Sequence, residues 1–292
     1  MSDDPFVGNR SLLFTLAYEM TGSAADAEDI VQETWLRWDG IGEAARADIR
    51  DPRAYLVRIV GRQSLNRLRT LSRQREDYVG PWLPEPLLTS PDVAEDAELA
   101  ESLSIAMLAV LETLGPTERA VFVLREVFDV PYDEIAEAVD KSSAAVRQIA
   151  HRAREHVAAR RPRMTVSRTE QRRVVERFLA AVTTGDVQGL MEALAPDVVV
   201  FGDGGGLAPA ARKPVRGRDL VAQLLGRFPE FAPGAEITTH QINGALAARI
   251  DPSGPYDTAI AFVVEDGLIS RIFAIRNPHK LGRLDEVADV RR

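Results

Sequence analysis

The chain has 292 residues, enough for two or three domains that each bury a core of their own. A hydrophobic content of 45% and a charged content of 27% are those of a soluble globular protein, and no run of about 18 apolar residues is present. The absence of cysteine excludes disulfides, thiolate nucleophiles and zinc knuckles, and a formal net charge of −8 excludes a surface that is basic all over. The stretch MSDDPFVGNR has no secretory pattern, so a cytoplasmic protein without membrane contact is expected. Four scattered histidines, His151, His156, His240 and His279, offer no ligand spacing, and neither a metal centre nor a cofactor is expected.

Charge is distributed unevenly. From Arg50 to Arg75 there are eight arginines against one acid, Asp51, and from Arg147 to Arg163 six arginines against Glu155. Two basic islands in an acidic chain point to two separate contacts with nucleic acid, the acidic remainder limiting non-specific binding.

In chain order, a first helix is predicted from Arg10 to Met20, with Leu13, Leu16, Ala17 and Met20 on one stripe and Gly22 at its end. Ser23 begins a second, with Asp26 at the capping-box position. Ala27, Ile30, Val31, Thr34 and Trp38 face inward there, and Asp26, Asp29, Gln32, Glu33 and Leu36 form the opposite side, as a solvated face or a docking surface. Asp51 and Pro52 start a third, long helix that carries the first arginine island. Its apolar residues are Tyr55, Leu56, Ile59, Val60, Leu65 and Leu68.

Residues 81–101 contain four prolines, six acids and no basic residue, so their first part should be extended. Trp82-Leu83-Pro84-Glu85-Pro86 is too apolar for a mere spacer, because an exposed Trp-Leu pair needs a partner surface. A helix over Pro116 to Val127 puts Val121, Leu124 and Phe128 on one side. Two short helices follow, broken at Asp140-Lys141-Ser142, with Ser142 or Ser143 capping the second. That is helix-turn-helix spacing. The second helix buries Val146, Ile149, Ala150, Ala153 and Val157 and exposes Arg147, Gln148, His151, Arg152 and Arg154. Arg147 and Gln148 are types that contact purine edges through paired hydrogen bonds, while the neighbouring cations suit phosphates. An ordinary helical hairpin with a solvated basic face is the alternative.

Beyond Arg163, helices are predicted around Val175 to Val182, over Val187 to Ala195 and over Arg218 to Phe228. Strands are predicted over Val198 to Phe201, Glu236 to Ile242, Leu246 to Ile250, Thr258 to Val264 and Leu268 to Ile275, with Asp266-Gly267 as a two-residue hairpin turn. Helices followed by a curved antiparallel sheet make an α+β cone.

DAEDIVQETWLRW (26–38), DPRAYLVRIVGRQSLNRLR (51–69) and LGPTERAVFVLREVFDVPYDEIAEAVDKSSAAVRQIAHRAR (114–154) together resemble extracytoplasmic-function sigma factors of bacterial RNA polymerase. WLPEP (82–86), DGGG (203–206) and NPHKL (277–281) resemble the signatures of the subgroup with a fused SnoaL-like, NTF2-like C-terminal domain. The resemblance implies a multidomain fold: a sigma-2 helical bundle over 6–76, a proline-rich acidic linker over 77–101, a sigma-4 helix-turn-helix over 102–162 and an α+β SnoaL-like cone over 167–284.

It also implies a non-enzymatic sigma factor that directs promoter-specific initiation. Its partners would be the polymerase core, through the β′ clamp helices and the β subunit, and promoter DNA. The polymerase-binding residues would be Asp26, Asp29, Gln32, Glu33 and Leu36. The −10 element would be met by Arg53, Arg58, Arg62, Asn66, Arg67 and Arg69, with Trp38 and Tyr55 as stacking residues unless they are core. The −35 element would be met by Ser143, Ala144, Arg147, Gln148, His151 and Arg152. An interdomain regulatory contact would join Trp82, Leu83, Pro84, Glu85 and Pro86 to Asp203, Gly204, Gly205 and Gly206 and to Asn277, Pro278, Lys280 and Leu281.

A small-molecule ligand in the cone pocket would fit relatives that are cyclases or isomerases, for which Asp203 and His240 are the acid/base candidates. A triple glycine beside Asp203 fits a turn with positive φ equally well. Two further readings stay open: a one-component helix-turn-helix regulator with a ligand-sensing cone, and a SnoaL-type enzyme with a DNA-binding appendage.

Overall fold

The computed structural model describes residues 4–162, 166–252 and 254–292; Arg163, the last arginine of the second basic island, lies outside them. Four helices open the chain: α1 (Pro5–Thr21), α2 (Ala24–Asp39), α3 (Glu43–Ala47) and α4 (Pro52–Glu76). Helix α1 starts earlier than its apolar stripe predicts, because Asp4 caps it ahead of Pro5 and accepts a hydrogen bond from the Phe6 amide at 2.8 Å. Asp51 and Pro52 start α4 in the same way, with the Ala54 amide 2.9 Å from the Asp51 carboxylate.

The chain then runs extended to strand β1 (Leu88–Thr89), as the prolines require. The rest of the acidic stretch is helical, in α5 (Pro91–Glu95) and α6 (Ala97–Leu103). Pro91 occupies a first-turn position, and Asp96 caps α6 by accepting from the amides of Glu98 and Leu99. Val93, Leu99 and Leu103 are buried, which supplies the apolar face that so many acids conceal in the composition.

Next come α7 (Ile105–Leu111), α8 (Pro116–Phe122), α9 (Tyr132–Val139) and α10 (Ser143–Ala158). The predicted helix over Pro116 to Val127 is α-helical only to Phe122 and continues as a π-turn, Val123–Val127, with the Phe128 amide bonded to the Val123 carbonyl at 3.2 Å. The helix-turn-helix break falls where expected. Asp140 takes φ 55° and Ser142 accepts from the Ala145 amide at 3.3 Å.

The C-terminal third holds α11 (Arg168–Thr184), α12 (Val187–Ala193), β2 (Leu194–Asp203), β3 (Val215–Arg216), α13 (Arg218–Gly226), α14 (Phe228–Phe231), β4 (Ile237–Ile242), β5 (Ala245–Ile250), β6 (Thr258–Glu265), β7 (Leu268–Ile275) and β8 (Val287–Ala288).

These elements form two compact units. One unit comprises residues up to 77, 108–161 and 289–292; the other comprises 78–107 and 162–288. The linker thus belongs with the C-terminal domain, and both all-helical domains share one body.

In the helical unit, α1, α2 and α4 pack around Leu13, Leu16, Met20, Ile30, Val31, Leu56, Val60 and Leu65. Trp38 is 2% exposed and donates its indole N–H to Asp4 at 3.0 Å, so it is a core residue rather than a stacking platform. Helix α4 also packs on α8 and α9. At Gly61 an added Cβ would lie 3.3 Å from both methyls of Leu124. Arg119, 1% exposed, reaches the Glu19 carbonyl with Nε at 3.2 Å and Nη2 at 3.0 Å and pairs with Glu112. Arg75 meets the same Glu112 and donates to the Thr21 carbonyl at 2.8 Å; its burial lowers the guanidinium pKa while Glu112 opposes the shift. The chain's last residues close on α1, with the Arg291 amide 3.0 Å from the Thr15 hydroxyl.

In the second unit a single sheet has the order β3-β2-β7-β6-β5-β4-β1-β8. The central pairings are antiparallel except β2 with β7. Strand β1 of the linker lies between β4, with Leu88 opposite Ile242, and the edge strand β8. Both Asp266-Gly267 and Asn243-Gly244 take positive φ at both positions, the hairpin geometry expected of such dipeptides. Helices α11, α12 and α13 cover the sheet over a core in which Phe178 and Phe262 meet edge-to-face at 5.6 Å, joined by Leu190, Val198 and Ile272.

Candidate functional site

The polar residues of the basic island on α4 differ in what they meet. Arg53, Arg62, Asn66 and Arg69 are exposed, as a nucleic-acid face requires. Arg58 instead pairs with Glu137 of α9 at 3.0 Å, and Arg67 pairs with Asp26 of α2, its Nε 2.6 Å from the carboxylate. Asp26 was expected on the exposed side of α2; it is 7% exposed and turned onto α4, because the salt bridge to Arg67 draws it there. Asp29, Gln32, Glu33 and Leu36 do form an exposed face, with Leu36 at 69% exposure.

On α10, Ala144, Arg147, Gln148, His151 and Arg152 are exposed, while Val146, Ile149, Ala150, Ala153 and Val157 are buried. Ser143, of the same expected reading set, is half-buried and its hydroxyl is bonded to Asp133 of α9. That bond joins the two helices of the motif. Arg147 lies 5.4 Å from the centre of the Tyr132 ring, which also holds Arg125 at 4.9 Å. The loop between α2 and α4 is braced by Arg46, bonded to the carbonyls of Asp39 at 2.7 Å and Ile41 at 2.8 Å.

The third constellation gathers around Asp203, which is fully buried at the end of β2. One carboxylate oxygen accepts from the Tyr78 hydroxyl at 2.5 Å and the Gly205 amide at 3.1 Å. The other accepts from the Leu83 amide at 2.9 Å and from the Lys280 ammonium at 2.7 Å. Lys280, itself 6% exposed, also donates to the Leu83 carbonyl at 2.5 Å and sits 3.4 Å from the centre of the Trp82 ring and 5.1 Å from that of Tyr78. Asn277 donates to the Tyr78 hydroxyl at 2.8 Å. Burial and the Asp203 carboxylate both raise the Tyr78 pKa above its ordinary value, which keeps the phenol a donor.

The DGGG glycines serve this geometry. Gly205 has φ 58°, and a Cβ there would lie 2.4 Å from the Asn277 amide nitrogen and 2.9 Å from the Tyr78 hydroxyl. The signature segments therefore meet: Trp82 and Leu83 against Asp203, Gly205, Asn277 and Lys280. Pro84, Glu85 and Pro86 are buried behind them, as is Leu281, whereas Pro278 is exposed. Sequence reasoning missed Tyr78, whose only signal is an aromatic placed just before WLPEP. It also missed Asn243, which accepts from the Leu87 amide at 2.8 Å and donates to the Leu103 carbonyl at 2.8 Å. The Asn-Gly dipeptide was the available signal for that turn.

Asp203 and His240 do not form an acid/base pair. Strands β2 and β4 are four spacings apart in the sheet, roughly 19 Å at the usual strand separation. His240 bonds Thr238 at 2.9 Å instead, and every carboxylate oxygen of Asp203 is taken. The cone interior, expected to hold a ligand, carries the buried core around Phe178 and Phe262.

Two packed helical modules, one a helix-turn-helix with a basic outer face, joined by a clasped linker to a SnoaL-like cone, define the class: the chain belongs to the extracytoplasmic-function RNA polymerase sigma factors with a fused SnoaL-like domain. The family models for Sigma-70 region 2, Sigma-70 region 4 and the SnoaL-like domain match residues 6–74, 104–157 and 175–272. The chain is 39% identical to the ECF RNA polymerase sigma factor SigJ of Mycobacterium tuberculosis, over 96% of its own length and 93% of that protein's. It is 31% identical to the probable ECF sigma factor SigI of the same organism, over 94% and 93%. The crystal structure of SigJ superposes with a TM-score of 0.76 at 37% identity, covering 96% of this chain and 98% of that one.

Proposed function

We propose that this chain binds core RNA polymerase through Asp29, Gln32, Glu33 and Leu36 of α2. The holoenzyme then starts transcription at promoters whose −10 element is met by α4 and whose −35 element is met by α10. The two elements lie about 25 base pairs apart, roughly 85 Å of B-DNA. A compact body the size of the helical unit has a radius of gyration of only about 14 Å. Reading both elements therefore requires α4 to part from α8 and α9, which also frees Arg58 from Glu137. Contact with the β′ clamp helices and the β subunit would hold the modules apart.

The SnoaL-like domain acts in cis through the linker. The observation that carries this is the Asp203 carboxylate, buried and saturated by donors that include the linker's own Leu83 amide and Tyr78 hydroxyl. A chain held this way cannot thread elsewhere until the clasp opens, so clasp strength biases the sigma factor between resting and polymerase-competent forms. Saturation of the carboxylate also favours this role over general acid/base catalysis at Asp203.

Purified full-length chain with core polymerase should give discrete start sites that core alone does not, mapped by run-off transcription on genomic fragments. Failure to associate with core would leave a simpler helix-turn-helix regulator as the reading. Within the holoenzyme, Arg147→Ala should weaken discrimination at one upstream base pair by ~1–3 kcal/mol if the side chain reads a base edge. Competition binding with single-base promoter variants measures this; an equal loss on every sequence would mark a phosphate contact instead.

A further inference from the structure

Beside the clasp lies a cavity of about 430 Å³, within the range of small-molecule sites. Leu207, Pro209, Pro278 and Leu281 give it apolar walls, and its charged lining is Arg249 and Arg276 with the carboxylates of Asp257 and Asp285. The two arginines differ in state. Arg249 is held by Asp257 at 3.1 Å and Asp285 at 2.6 Å. Arg276 pairs with no carboxylate among the described residues: its Nη1 donates to the Pro209 carbonyl at 2.7 Å, and its buried Nε has no hydrogen-bond partner. A guanidinium taken partly out of water without a carboxylate beside it is costly, and an oxyanion is the ligand that compensates such a charge. Desolvation accordingly lowers the Arg276 pKa, and the Tyr256 phenol only partly opposes that shift.

We propose that this cavity binds a small organic acid, its carboxylate on Arg276 and its apolar body against Pro209, Pro278 and Leu281. The site lies outside the cone interior, where the fold's relatives led the sequence reading to expect a ligand. Its position matters, because its walls are continuous with both clasp signatures. Leu207 and Pro209 follow the DGGG turn, Pro278 and Leu281 belong to NPHKL, and the Arg276 amide is bonded to the Asp203 carbonyl at 2.7 Å. Occupancy would therefore shift the clasp, a consequence that rests on the regulatory reading above.

Benzoate and its uncharged isostere benzamide test the site on the full-length protein, by calorimetric titration or saturation-transfer NMR. Benzoate is expected to bind at least tenfold more tightly than benzamide, and Arg276→Gln to erase the difference. Gly282→Phe gives an independent check with Arg276 intact: Gly282 lines the cavity, is exposed, and a Cβ there meets nothing within 4 Å. That variant should lose benzoate binding while keeping the parent's circular dichroism. Equal or absent binding of the two probes overturns the proposal, as does a benzoate preference that survives both substitutions. Saturating benzoate should also change run-off transcript yield; binding without that change would overturn the coupling and leave the site standing.

Discussion

Asp203→Ala is expected to release the linker from the SnoaL-like domain. Removing the carboxylate takes from the Lys280 ammonium, 6% exposed, the anion it pairs with, while the Leu83 carbonyl and the faces of Trp82 and Tyr78 stay beside it. Breaking a buried pair by deleting one partner typically costs about 3–5 kcal/mol, because the remaining charge stays desolvated. The Leu83 amide reads this directly, since Asp203 is its acceptor at 2.9 Å. Its hydrogen exchange in the full-length chain should accelerate by about a hundredfold or more, each tenfold corresponding to about 1.4 kcal/mol. Asp203→Leu combined with Lys280→Met should recover only part of that protection, because it removes the unpaired buried charge but leaves the Leu83 and Gly205 amides and the Tyr78 hydroxyl without their acceptor. If Asp203→Ala exchanges like the parent, the clasp is not what holds the linker.

The second large effect concerns the seam inside the helical unit. Gly61→Leu is expected to drive α4 away from Leu124, since even a Cβ at position 61 would sit 3.3 Å from its methyls. Overpacking of this kind costs about 1–3 kcal/mol, whereas glycine to leucine within an isolated helix gains up to about 1 kcal/mol. The substitution thus penalises the packed form alone. A bias of 1–3 kcal/mol shifts a two-state equilibrium by about 5–150-fold. Small-angle scattering should report a larger radius of gyration, and transcription at limiting sigma factor should rise. Arg58→Ala should do far less, because the Arg58–Glu137 pair is exposed and such pairs contribute about 0–1 kcal/mol. Parent-like scattering and yield from Gly61→Leu would show that packing of α4 on α8 and α9 does not limit access to the promoter.

Much of the helical architecture is readable from neighbouring residues. Asp51-Pro52, Ser142 and Asp140 mark helix ends through capping and left-handed geometry, and Asp266-Gly267 marks a hairpin by the same local logic. Strands β4 to β7 follow from their apolar content and turn signals to within a residue or two. The reading weakened where two segments compete for one side chain. Asp26 sits on the polar side of α2 by helical periodicity, yet Arg67, 41 residues away, takes it out of solvent. Ser143 has the right place for DNA contact, but Asp133 claims its hydroxyl. The acidic stretch after Pro91 looked like tether because its charges outnumber the few apolar residues that α5 and α6 bury.

The residue pattern alone was sufficient for the two helical modules, the cone and the three signature segments, because capping, helical period and turn chemistry act over a few residues. What those signatures do to one another came only from the folded chain. Tyr78 and Asp203 are 125 residues apart, Asp203 and Lys280 are 77, and Leu87 and Asn243 are 156. Whether an aspartate beside three glycines is a base, a turn former or an anchor depends on which donors stand within about 3 Å of it through space. Here a lysine, a tyrosine and two backbone amides take all of its oxygens, and the aspartate is an anchor.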